Sequence, residues 1–122
     1  MILDHIGYNV SNLPQAREFF GKVLAPLGIG VVIEGEGWLM FGRGDRPQFW
    51  LGSFGPPPGG IHIAFAAENR QQVRDFHAAA LAAGARDNGA PGPRPQYHPG
   101  YYGAFVIGPD GHNIEAVCHK PE

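Results

Sequence analysis

From residue 5 the chain alternates. Ile6, Tyr8 and Val10 fall on one face of an extended segment, and His5, Gly7 and Asn9 on the other. The period then changes. Ala16, Phe19, Phe20, Val23, Leu24 and Leu27 form an apolar stripe at helical spacing. Asn12 stands three residues before Gln15, the pattern of a capping box, and Pro14 fits a first helical turn, where its missing N–H has no intrahelical partner. Gly28 suits the helix exit. The spacing predicts a strand followed by a helix over residues 13–26.

The same order returns 57 residues later without a gap. Ile61, Ile63 and Phe65 oppose His62, Ala64 and Ala66, then Asn69 precedes Gln72, and Val73, Phe76, Ala80 and Leu81 form the second stripe. Comparing 5–28 with 62–85 gives eight identities, among them His5/His62, Asn12/Asn69 and Phe19/Phe76. A second helix is predicted over 70–83, with His77 standing where the first carries Phe20. Both histidines face away from the bulky side and have only small neighbours beside them.

Strand patterns separated by glycine-rich turns follow each helix. They are "GVVIE", "WLMFG" and "QFWLGSF" in the first half, then a weak stretch near 85–88, "YYGAFVI" and "NIEAVCH" in the second. Each half therefore reads β-α-β-β-β. The expected fold is α+β, a single domain over 1–122 made of two modules, 1–55 and 60–122, with "FGPPPGG" as the seam. The stretch 90–100, "APGPRPQYHPG", is too rich in proline and glycine for a regular strand and reads as a loop, arm or lid.

Composition narrows the function classes. The chain has 122 residues, 43% of them hydrophobic, so a packed core is affordable despite 19 glycines and 12 prolines. A net charge of −2 with no basic stripe argues against nucleic acid. There is no apolar run long enough for a membrane span and no signal peptide, and the single cysteine, Cys118, reads as a small buried hydrophobe. A reducing, cytoplasmic location is expected.

"LDHIGYNVSNLPQAREFFGKVLAPLGI", "GIHIAFAAENRQQVRDFHAAALAAGA" and "YYGAFVIGPDGHNIEAVCH" together resemble the vicinal oxygen chelate superfamily, which includes glyoxalase I, extradiol dioxygenases and bleomycin-resistance proteins. The resemblance spans nearly the whole chain, and "GPDGHNIE" is its most specific piece. It implies paired βαβββ modules whose sheets curl around a concave site, helices outside. It also implies a homodimer, a small-molecule substrate, and a divalent metal ion (Zn, Ni, Fe, Mn or Co) that chelates adjacent substrate oxygens. Some members hold no metal and only bind ligands, so fold alone does not settle function.

Two imidazoles and a carboxylate are a common ligand set for such ions. By resemblance the metal ligands are His5, His62 and Glu115. The plainer alternative makes them hydrogen-bonded strand histidines and an edge charge. The duplication, and the cost of an unpaired buried carboxylate among apolar neighbours, weigh toward the metal. At an offset of 65, "GDRPQFWL" aligns with "PDGHNIEA" and sets Trp50 opposite Glu115, where glyoxalase I-like sites carry a fourth ligand. Indole cannot ligate, so three protein ligands are expected, with Trp50 and Tyr102 in the substrate pocket. His98 and Tyr101 are the catalytic candidates. His112 reads as solvated in its turn, His77 as a packing residue and His119 as surface. The resemblance implies an enzyme of glyoxalase/dioxygenase type, lyase or isomerase chemistry ahead of ring cleavage. The alternative is a non-catalytic binder of the bleomycin-resistance kind.

Overall fold

Asn12 and Asn69 both sit in extended conformation and each accepts a hydrogen bond from the backbone three residues on, from Gln15 N at 3.0 Å and from Gln72 N at 2.8 Å. Each cap satisfies a donor that the first helical turn leaves without a partner. The helices they start are α1 (Leu13–Leu24) and α2 (Arg70–Ala82). In the second, the Gln72 side chain reaches back to the Glu68 N–H at 2.9 Å. Helix α1 stops two residues short of the predicted end because Pro26 has no N–H to continue the ladder. The chain tightens into a 3-10 turn over Ala25–Leu27 and leaves through Gly28 at φ 76°.

The computed structural model describes residues 2–121. Its strands are β1 (Ile6–Asn9), β2 (Gly30–Gly35), β3 (Trp38–Arg43) and β4 (Arg46–Gly52), then β5 (His62–Ala66), β6 (Arg86–Pro93), β7 (Tyr102–Ile107) and β8 (Asn113–Cys118). They form two four-stranded sheets of the same design, ordered β1-β4-β3-β2 and β5-β8-β7-β6. In each, the first strand lies parallel to the last and the others run antiparallel. The fold is thus α+β, two βαβββ modules with a mixed sheet apiece.

One hydrophobic core runs under both sheets. Tyr8, Leu39, Phe41, Phe49 and Leu51 turn toward α1, where Phe20 meets Phe49 edge-on at 5.1 Å. Ile63, Ala104, Val106, Ile114, Ala116 and Cys118 turn toward Val73, Phe76 and Ala80 of α2. The modules are joined by Phe49 against Phe65 (5.3 Å), Tyr8 against His112 (5.0 Å) and the Ser11 N–H donating to Asp110 Oδ2 (3.1 Å). Arg43 ties the same seam by donating to the carbonyls of Leu27 and Ala66. Ile6, expected on the packed face, is 43% exposed because it opens onto the cleft between β1 and β5.

Two further expectations need correction. The stretch from residue 90 is not all loop, since β6 continues to Pro93. It is an edge strand with two register shifts, around Gly89 and Gly92, and prolines at an edge cost few ladder bonds. His112 is fully buried, not solvated. The turn that carries it folds back onto Tyr8 of the other module. Among the described residues no helix is long and apolar enough to cross a membrane.

Candidate metal centre

The sheet faces turned away from the helices carry the chemistry. On β8, alternation sends Ile114, Ala116 and Cys118 into the core, which leaves Glu115 and Val117 on the other side. Glu115 is only 1% exposed, yet no apolar neighbour answers its charge. His62 Nε2 lies 3.1 Å from its Oε1, and the Tyr101 hydroxyl donates to its Oε2. Burial first, and then the bond to Glu115, push the Tyr101 phenol well above its ordinary pKa, so it stays a protonated donor.

The other nitrogen of His62 decides how this pair is read. Nδ1 stands 3.1 Å from the Asn113 carbonyl oxygen, an acceptor, so Nδ1 carries the proton of a neutral ring. Nε2 then points a lone pair at a carboxylate oxygen. Two acceptors at this distance need a cation between or beside them, either a proton on the imidazole or a metal ion. The spacing suits a metal, since two ligand bonds of about 2.1 Å at a right angle end roughly 3 Å apart. A backbone carbonyl holding the far nitrogen is also the usual support for a ligating histidine. His62, Tyr97, Tyr101, Phe105, Asn113 and Glu115 line a pocket of about 420 Å³.

The first module repeats the frame with different contents. Gly7 pairs with Trp50 as Ala64 pairs with Glu115, so the register sets Trp50 in the place Glu115 occupies in the second sheet. The indole lies across Gly7 and Gly52, where added Cβ atoms would come within 2.8 and 2.2 Å of it, and stacks on Phe54 at 6.1 Å. His5, just before β1, keeps Nδ1 at 2.7 Å from Asp4 Oδ1, which leaves Nε2 free of that contact. That bond also holds the Asp4 carboxyl below its usual range. His5 and His62 both border a second cleft of about 350 Å³, walled by Ile6, Phe41, Phe49 and Phe65.

Of the residues singled out by sequence, His62, Glu115 and Tyr101 come together. His5 shares only the wider cleft, and among the described residues no group of three or more His, Cys, Asp or Glu side chains converges on one point. Tyr102 is not in the pocket. It pairs with Cys118 on the helix-facing side of β7 and packs under Arg70 and Arg74, which lie 4.8 and 5.8 Å from its ring. His98 does not reach Glu115 but stacks on His119 at 4.6 Å, and both meet the Tyr101 ring edge-on at 5.3 Å. The sequence reading overlooked Asp4 and the Asn113 carbonyl. Asp4 had a signal in the adjacent Asp-His pair, whereas the carbonyl of Asn113 had none.

A family profile described as the Glyoxalase/Bleomycin resistance protein/Dioxygenase superfamily matches residues 2–116. The chain belongs to this superfamily. A glyoxalase/bleomycin resistance protein from Albidiferax ferrireducens T118 is similar at 27% identity and TM-score 0.86, covering 97% of this chain and 99% of that one. An enzyme of the glyoxalase/bleomycin resistance protein/dioxygenase family from Burkholderia phytofirmans PsJN shares the fold at 15% identity and TM-score 0.74, covering 96% and 98%. So does a lactoylglutathione lyase from Agrobacterium tumefaciens, at 17% identity and TM-score 0.69, covering 97% and 92%. None of the curated proteins compared with the chain matches it. The superfamily commonly binds metals and small molecules, and the His62–Glu115 pair is the part of this member whose chemistry fits a divalent ion.

Proposed function

We propose that the protein is a metal-dependent enzyme of the glyoxalase/dioxygenase type, acting on a small substrate with adjacent oxygens. His62 and Glu115 hold the divalent ion, and His5 supplies the third ligand. The observation that carries this reading is the pair of acceptors, Nε2 and Oε1, held 3.1 Å apart on a buried carboxylate, with the Asn113 carbonyl fixing the tautomer. Asp4 supports His5 through the same nitrogen, Nδ1, that Asn113 engages on His62.

A bound ion of this kind supplies Lewis-acid polarisation of a carbonyl or enol oxygen. The chain supplies the rest. Tyr97, Tyr101 and Phe105 line the pocket and offer apolar surface to a compact substrate. Trp50 takes the position where glyoxalase I-like sites place a carboxylate, and indole has no acceptor for a proton. Lactoylglutathione lyase chemistry is therefore disfavoured, and other lyase or isomerase reactions stand ahead of ring cleavage. The edge strands β1 and β5, and the exposed Ile2 and Leu3 before β1, support a homodimer; in this reading a second copy brings its His5 to the His62–Glu115 pair.

One observation favours a second reading, a non-catalytic binder. Trp50 stacked on a largely exposed Phe54 offers an aromatic platform on the open face of the first module. Metal analysis separates the two. Protein purified without chelator is expected to carry stoichiometric metal, with His62→Ala and Glu115→Ala each losing it. Equal retention in all three defeats the ligand set, and metal-free wild type moves the assignment to the binder.

A further inference from the structure

Glu115 has two oxygens, and a metal site needs only one of them beside His62. Its Oε1 faces His62 while Oε2 accepts from the Tyr101 hydroxyl, so one oxygen alone is turned toward the imidazole. From this geometry we infer that Tyr101 is a positioning residue that keeps Glu115 a one-oxygen ligand, held in place by a clamp of three aromatic rings. The inference rests on the metal-site reading above and adds to it the group that sets the ligand's denticity.

The clamp is built from two places in the chain. Tyr97, His98 and His119 meet the Tyr101 ring at 5.0, 5.3 and 5.3 Å, all at steep angles, and His98 stacks on His119 at 4.6 Å. His119 directly follows β8, four residues after Glu115, so one segment carries both the carboxylate and part of the clamp. Tyr97 and His98 come from the loop after β6, which the Arg94 N–H closes by donating to the Tyr101 carbonyl at 2.8 Å. Edge-to-face contacts are favourable beyond the area they bury, and three of them together prefer one orientation of the phenol.

Gly103 makes the approach feasible. A Cβ there would sit 3.1 Å from Glu115 Oε2 and 3.1 Å from Tyr101 Cε1, tighter than either neighbour takes without shifting. The hydroxyl also removes the cost of a buried oxygen with no donor. Supports of this kind typically alter metal affinity by roughly 10–100-fold.

The test measures Zn²⁺ affinity by chelator competition, and the visible spectrum of the Co²⁺ form, on the full chain. Wild type, Tyr101→Phe and Gly103→Ala are compared. Tyr101→Phe keeps the ring and its clamp but leaves Glu115 Oε2 without its donor, so the metal-free melting temperature should fall modestly while Zn²⁺ binding weakens roughly 10–100-fold. Its Co²⁺ absorption should lose intensity as the freed oxygen raises the coordination number. Gly103→Ala, with the hydroxyl intact, should move both readouts the same way. Equal affinity and an unchanged cobalt spectrum in Tyr101→Phe overturn the positioning role alone. Wild type that binds neither ion overturns the metal reading and this inference with it.

Discussion

His112 shows how a single buried ring sets the acid response. Its Nδ1 accepts from the Ile61 N–H at 3.3 Å, so the neutral ring carries its proton on Nε2, which has no partner among the described residues. Burial pushes its pKa below the ordinary histidine value, and nearby Asp110 offsets only part of that. The unfolded chain binds a proton near pH ~6.5, while the folded chain resists until lower pH. Stability from this residue is therefore present above about pH 6.5 and is lost as pH falls toward the folded-state value. The expected result is a melting temperature that drops from pH 7 to pH 5, with a shallower drop in His112→Gln. Parallel curves for the two proteins would contradict this. Residue depth is also where the sequence misled. A "PDGH" turn announces a change of chain direction, and only the other module's Tyr8 makes it an interior corner. The expectation that Tyr102 lines the pocket had the same weakness, because the β7 register that sends Tyr102 under α2 depends on its pairing with β8.

Whole elements were more legible, because their signals are local. The twin Asn-x-x-Gln sequences announce two helix starts, and each asparagine does cap its helix. Asn12→Ala and Asn69→Ala are each expected to cost about 1 kcal/mol in urea unfolding, since each strands one backbone donor. The two caps lie in different helices and share no bond, so the double variant should cost the sum. A double variant no worse than either single one would show that the helices do not unfold together. The strands fared unevenly for a physical reason. β4 and β8 are interior in their sheets and rich in apolar residues, whereas β6 is an edge with glycine bulges and two prolines that mask a strand pattern. Its "PGP" stretch looks like a loop until β7 is laid beside it.

At the scale of the molecule the question is where the third ligand comes from. The duplication places a histidine at the head of each module, but the described chain brings together only the His62–Glu115 pair, with His5 across the cleft. The edges of β1 and β5 lack strand partners on one side, and Ile2, Leu3 and Ile6 expose apolar surface along the first. In the proposed homodimer, a twofold pairing of chains would cover that surface twice over and present the His5 of each to the pair on the other. Sedimentation at micromolar concentration is then expected to give twice the chain mass. Complementation decides whether the site is shared. His5→Ala lacks the donor in its first module and Glu115→Ala in its second, so neither homodimer should hold metal tightly. If sites form between chains, a mixed dimer joins an intact His5 from one subunit to an intact His62–Glu115 pair from the other. Unfolding the two variants together and refolding them should therefore restore metal binding, with a single site in each mixed dimer. Sites closed within one chain gain nothing from mixing, because every subunit still carries its own defect. No recovery from mixed dimers of verified composition would place the third ligand inside the chain.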